Sequence, residues 1–277
     1  MPFLAVAFVL AVLPISAAPR PSPAAEGPAA PPAWLSRVNT GPAGAFPPPR
    51  SFTANYLVTW SDVEAARVEA KCASPTGGAE IQTIIKAATT GGARVLYKLD
   101  ANAKCIADRR TLRPVRFEQR QDASGKHGYT RVDFSAQEAV RNNVDPSLPG
   151  ADPTKGKVRH FPYPGMFDMH SALLYLRSLP LADGDQKTFP VVAANTPYLV
   201  TITVQGHERV KTCAGEYPAI VCSLALEKIN KFGELEAHKG FKSARAWISD
   251  DGDRVLLKIA TQVFVGSVNL ELEKVTF

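Results

Sequence analysis

The sequence predicts a mainly β chain: a single large antiparallel, strongly curved sheet or incomplete barrel with one main helix. Two observations carry this prediction. From Phe52 onward, apolar and polar residues alternate along most segments, the period-two pattern of strands with one buried face. Only one long stretch, Asp168 to Leu179, repeats at helical spacing, which is too little helix to cover a doubly wound parallel sheet and excludes that class.

In chain order, Phe52 to Trp60 places Phe52, Ala54, Tyr56, Val58 and Trp60 on one face and reads as a strand. Val63 to Cys72 is rich in Ala and Glu, but Val68, Ala70 and Cys72 alternate with Arg67, Glu69 and Lys71, which favours a second strand. Pro75-Thr76-Gly77-Gly78 turns the chain into Ala79 to Thr89, whose β-branched residues suit a third. Ala93 to Leu99 suits a short helix. Lys104-Cys105-Ile106, Pro114 to Gln121 and His127 to Phe134 suit strands. Asn142 to Lys157 is polar and rich in Pro and Gly, a long loop of the kind that carries function. In the main helix Asp168 is placed to cap, Leu173, Leu176 and Leu179 share a stripe, and Pro180 stops continuation. Strands are then expected at Thr188 to Ala193, Thr196 to Gln205, Glu208 to Cys213, Tyr217 to Lys228, Phe241 to Ser249, Arg254 to Phe264 and Ser267 to Phe277. Gln205-Gly206-His207 and Asp250-Asp251-Gly252-Asp253 have hairpin-turn chemistry.

The organisation before Phe52 follows from composition. Met1 to Ala18 lacks charge, and the apolar run Phe3 to Ile15 is followed by Ser16, Ala17 and Ala18, a secretory signal pattern over residues 1–17. That run is short of the roughly 20 residues that span a bilayer core, so no integral membrane span is expected in the mature chain. The chain has 23 prolines, where average usage of about 5% would give about 14. Ten of them fall between Ala18 and Arg50, which reads as a semi-rigid linker over 18–50, with Trp34 and Leu35 its one apolar patch. Residues 51–277 then form one β-rich domain.

A net charge of +6, spread along the chain, does not mark a nucleic-acid binder, whose basic residues cluster on one face. Four cysteines in an exported chain imply oxidised pairing. Of three connectivities, a hairpin suits Cys213 with Cys222, leaving Cys72 with Cys105. No zinc-type spacing, G-x-S-x-G elbow, phosphate loop or H-E-x-x-H occurs, so neither a catalytic residue nor a cofactor or metal is assigned. His160, Asp168 and His170 could supply metal donors, but Asp168 and His170, two apart at a helix start, point to different sides, and capping is the expected role of Asp168. Asp250, Asp251 and Asp253 lack the spacing of a calcium loop and read as a solvated turn. Arg109, Arg110, Arg113, Arg116 and Arg120 form the densest basic stretch; Arg116 and Arg120 share a strand face with Glu118, an ordinary solvated side, with capture of an anionic lipid or polysaccharide as the sharper reading.

Three stretches resemble an exported bacterial family defined only as a domain of unknown function, number 3108. They are Thr111-Leu112-Arg113-Pro114 with Phe117; Asp168 to Arg177 with Pro180-Leu181 and Gly184-Asp185; and Trp247 to Asp251 with Arg254, Gly266-Ser267 and Glu271-Leu272. The resemblance covers about Thr53 to Phe277 and implies fold and export; it brings no catalytic residues. The expected function is a non-enzymatic periplasmic or secreted protein that binds an envelope lipid or glycan in a curved-sheet cavity. Alternatives are a structural protein with a filled core and a protein partner, and a hydrolase of unfamiliar type. Asp168, Arg177 and Trp247 are the candidate ligand-binding residues, with Arg177 also placed to pair with Asp183 or Asp185, Trp247 expected to fill the interior, and a mouth expected between the Asn142 to Gly165 loop and the Asp168 helix.

Overall fold

The computed structural model describes residues 31–39, 41–145, 149–150, 156–193, 195–238, 241–263 and 266–277; the expected signal segment lies outside them. A 3₁₀ turn, Ala33–Arg37, precedes β1 (Phe52–Trp60), β2 (Val63–Ala73), β3 (Glu80–Thr89), α1 (Gly91–Leu96), β4 (Leu99–Asp108), β5 (Pro114–Ala123) and β6 (Lys126–Phe134). Then come β7 (Ala139–Asn142), β8 (Arg159–Phe161), β9 (Phe167–Asp168), α2 (Met169–Ser178), β10 (Gln186–Ala193), β11 (Thr196–Thr212) and β12 (Gly215–Ile229). β13 (Leu235–Ala237), β14 (Phe241–Ser249), β15 (Leu256–Val263) and β16 (Ser267–Thr276) complete the chain.

All 16 strands form one sheet, ordered β8-β7-β6-β5-β4-β3-β2-β1-β16-β15-β14-β12-β11-β10-β9, with β13 beside β12. The sheet is mixed, because β9 runs parallel to β10 while the other neighbours are antiparallel. It is not closed into a barrel: β8 and β9 end the order without pairing to each other. Two meanders, β1 to β8 and β10 to β16, meet at the β1/β16 seam. Side chains link the far ends: Arg141 on β7 donates to Asn195 after β10, and Val192 on β10 shares an apolar cluster with Phe117 and Val132 on β5 and β6.

Alternation explains the inner face. Cys72, Thr83, Cys105, Phe117 and Val132 sit opposite one another across five strands, and the residues one step along point the other way. The same register corrects the disulfide expectation, for all four cysteines are free. Thr83 of β3 stands between Cys72 and Cys105, so their Cα atoms are about two strand spacings, roughly 9.6 Å, apart, beyond the ~6.8 Å limit for a bridge. Cys213 lies in the β11–β12 turn, whereas Cys222 faces Val204 far up the ladder.

Two further expectations change. Gln205-Gly206-His207 is a bulge inside one long strand and not a turn: the register shifts between Val204 and Gly206, and Gly206 has φ +142°. The hairpin tip beyond it bends across β14 and β15, and the Ala214 amide donates to the Leu272 carbonyl of β16. In addition, the described part of the expected linker lies against the domain. Trp34 is 5% exposed, donates from Nε1 to Gly233 O at 2.8 Å and sits edge-on to Tyr163. Farther along, the Gly44 and Phe46 amides donate to Ser178, and Arg50 grips Asp253 with two hydrogen bonds. Residues 41–50 thus form a strap over the C-terminal end of α2.

Candidate functional site

α2 lies on the inner face of the sheet, and between the two is a cavity of about 240 Å³. The helix forms here because Asp168, at the N-cap, accepts from the His170 and Ser171 amides at 2.8 and 3.1 Å, and because the stripe of Ala172, Leu174, Tyr175 and Leu176 is buried. The cavity exists because the strands beneath present small residues, Ala70, Ala193, Ala244 and Ala246, where larger ones would meet the helix. Ile85, Leu173, Leu224 and Ile259 line the cavity yet are only partly buried. The interior is therefore not filled by its own side chains.

One end of the cavity is polar. Arg177 is 3% exposed and donates to Pro47 O at 2.7 Å and Asp253 O at 3.0 Å. Arg254 donates to the Arg177 and Leu179 carbonyls at 2.6 and 2.7 Å and stacks on Phe46 of the strap. Burial, with the neighbouring Arg254 cation, pushes the Arg177 guanidinium down to about 10. Cys72 and Cys222 also line the wall, and burial pushes both thiols up to about 11, so they stay protonated and unreactive.

Beside the helix start is a buried polar knot. The Cys105 thiol donates to Asp168 Oδ1 at 2.6 Å, and Ser171 Oγ donates to Asp168 Oδ2 at 2.7 Å. Burial, then the Asp168 carboxylate, holds the Cys105 thiol well above its ordinary value. His170 stacks on Phe117, and burial lowers its pKa from the usual 6.5 despite the nearby Asp168. A buried protonated thiol and an imidazole that burial holds toward its neutral form, its ring stacked on Phe117 and also lining the cavity, make a structural knot and supply no activated nucleophile.

Of the three candidate ligand residues, Arg177 lines the cavity, whereas Asp168 is consumed by capping. Arg177 does not pair with Asp183 or Asp185, which engage His207 and Lys187. Trp247 is buried at 6% but faces away from the cavity lined by its neighbours Ala246 and Ile248. The folded-back hairpin covers it, and its Nε1 donates to Glu208 at 2.6 Å. Among the described residues, the strap and Arg254 stand at the cavity's polar end; part of the Asn142 to Gly165 loop lies outside the described residues. His160 pairs with Glu138 on the surface, apart from Asp168 and His170. Asp251 binds the Asp253 and Arg254 amides, as a turn residue does.

The basic stretch is dispersed. Arg109 donates to Ser74, Arg113 lies over Phe167 and Tyr175, Arg116 pairs with Asp133, and Arg120 with Asp145. An open trough of about 1100 Å³ crosses the β1–β6 half. Its charges are matched in pairs such as Arg67–Glu273, Lys86–Glu69 and Arg120–Asp145. Charge capture by this surface has little left to act through.

Sequence reasoning missed the strap, Arg254 and the alanine floor. The Pro-rich run obscured the first, and the last is assembled only by strand register.

Comparison with known proteins places this architecture. The family model described as protein of unknown function (DUF3108) matches residues 55–273. A Brucella abortus structure, a β-barrel-like protein of domain of unknown function DUF1849, superposes with a TM-score of 0.54 at 10% identity, covering 82% of this chain and 97% of that one. A Bacteroides fragilis protein with a YmcC-like fold, provisionally classed as exported, gives 0.32 at 10% identity, with 85% of this chain and 100% of that one covered. No curated protein matches the sequence significantly.

Proposed function

The chain belongs to the DUF3108 family of proteins of unknown function, and from that premise we propose that it is a non-catalytic, exported binding protein that takes the apolar part of an envelope lipid between α2 and the sheet. The observation that carries this reading is the unfilled apolar cavity, whose inward-facing Ile85, Leu173, Leu224 and Ile259 keep accessible surface. Strong curvature of the sheet belongs to the same reading, supported by the shared cluster of Val192 with Phe117 and Val132. Export rests on the uncharged apolar segment ahead of residue 18. A glycan is the poorer fit, because the wall offers few polar groups to replace those that a sugar binds in water.

Native mass spectrometry of gently purified full chain, followed by uptake of a fluorescent fatty acid, tests this. The expected result is one lipid or one probe per chain in the wild type and loss of uptake in Leu224→Trp, which fills the cavity while retaining the thermal midpoint. Equal uptake by the filled variant, or no uptake by either, would leave a core that serves only as structure.

A further inference from the structure

The polar end of the cavity holds two cations, Arg177 and Arg254, that no carboxylate of the described residues contacts directly; Asp253 and Asp251 act on Arg177, and Asp250 on Arg254, only through space. The Arg177 hydrogen bonds go to backbone carbonyls, and its buried Nε has no partner. Arg254 donates from Nη1 to two carbonyls. The carboxylates nearby are committed elsewhere: Asp253 holds Arg50 through both oxygens, and Asp251 receives Ser249 Oγ and two backbone amides. Among the described residues, neither arginine forms an ion pair. A buried cation satisfied only by dipoles is costly, and an anion delivered beside it recovers that cost through charge-assisted hydrogen bonds.

The remaining wall limits what the anion is attached to. Leading away from Arg177, the lining is Leu173, His170 and Met169 of α2 with Ala246, Ala244 and Leu224 of the sheet, a strip in which burial holds His170 toward its neutral form. The volume of about 240 Å³ lies just under the ~300–1,000 Å³ of pockets for drug-sized ligands, room for one chain and not for two.

We propose that the ligand is a single-chain anionic amphiphile, its carboxylate or phosphate head at Arg177 and Arg254 and its alkyl chain between α2 and the alanine floor. This deepens the preceding reading and rests on it. The strap then has a place in recognition, because Pro47 O fixes the Arg177 guanidinium and Phe46 stacks on Arg254.

The test is a head-group series at constant chain length on the full-length mature protein. Decanoate, decyl phosphate, 1-decanol and decyltrimethylammonium are titrated calorimetrically at neutral pH, each below its micelle concentration. Either anion is expected to bind at least about tenfold more tightly than decanol, as hydrogen bonds to a charged partner imply, with the ammonium weakest. The ratio of decanoate to decyl phosphate identifies which head the site prefers. In Arg177→Gln, checked for folding by its thermal transition, the anions should fall to within about twofold of decanol while decanol itself binds unchanged. The wild-type series decides the matter even if that variant does not fold. Decanol binding as well as both anions would overturn the head-group assignment and leave the cavity reading intact, whereas no binding by any of the four would remove both.

Discussion

Removing the Asp168 side chain provides a sharp test of how the helix over the cavity is held. Asp168 is 1% exposed and accepts from two helix amides, the Ser171 hydroxyl and the Cys105 thiol. Loss of an N-cap to alanine costs about 1 kcal/mol in typical helices. Here the freed Ser171 amide is buried, and a buried unsatisfied donor adds about 1–3 kcal/mol. The Ser171 hydroxyl keeps the Asp168 carbonyl as a second acceptor, and a thiol is a weak donor, so neither adds much. Asp168→Ala should therefore lose about 2–4 kcal/mol, read from urea unfolding followed by circular dichroism. Asp168→Asn, which keeps one carbonyl oxygen for the amides, should lose about half as much. The exposed Asp183→Ala should change stability by less than about 0.5 kcal/mol. An Asp168→Ala loss below about 0.5 kcal/mol, or an Asn variant as damaged as Ala, would refute the capping argument.

Other expectations follow from the same geometry. Trp34→Ala should cost about 3 kcal/mol by the usual cost of emptying a buried aromatic site, whereas a freely dangling linker would register almost no change in the same urea titration. Gly44→Val should release the strap, because a Cβ at Gly44 would collide with the Ser178 carbonyl; limited proteolysis should then cut within 41–50 while the sheet survives. Thiol titration of the native protein should count the exposed Cys213 alone, rising to four on denaturation, with no change in thermal midpoint on adding reductant; fewer than four after denaturation would restore a disulfide. His170 is held below the unfolded value of 6.5 by burial. The unfolded chain therefore takes up its proton first, so stability is full above about pH 6.5 and declines as pH falls toward the folded pKa. His170→Gln should flatten that decline below about pH 6.5, and an unchanged profile would assign the loss to other groups.

What the sequence disclosed depended on whether one buried face dictated a pattern. β1 alternates cleanly because Ala54, Tyr56 and Val58 go inward, and α2 was legible from its leucine stripe and Asp168. β7, β8, β9 and β13 are two to four residues long, too short for any period to register. Gly206 carries turn chemistry, yet a bulge needs the same permissive backbone, and only pairing with β12 tells them apart. Trp247 misled for a related reason. Both faces of β14 are buried, one by the cavity and one by the returning hairpin, so its apolar character does not say which way it points. The cavity itself is a property of register: Ala70 and Ala246 are far apart in sequence, and their shared smallness matters only after the seam brings their strands into one sheet.

The open order of the sheet bears on how a chain-like ligand could get in. A closed barrel would have to break ladder hydrogen bonds to widen, but here β8 and β9 share no ladder; the short connection 162–166, the Gly165 amide on the Ala136 carbonyl and side chains such as Arg141 against Asn195 tie the two ends. The two meanders can therefore ease apart about the β1/β16 seam only as far as that short connection allows, exchanging a few contacts for water while every strand keeps its neighbours. The margins are also stepped: β9 covers only Val191 and Val192 of β10, and Asn39 meets the bare edge beyond them at Thr188, interrupting the backbone that another copy could pair with.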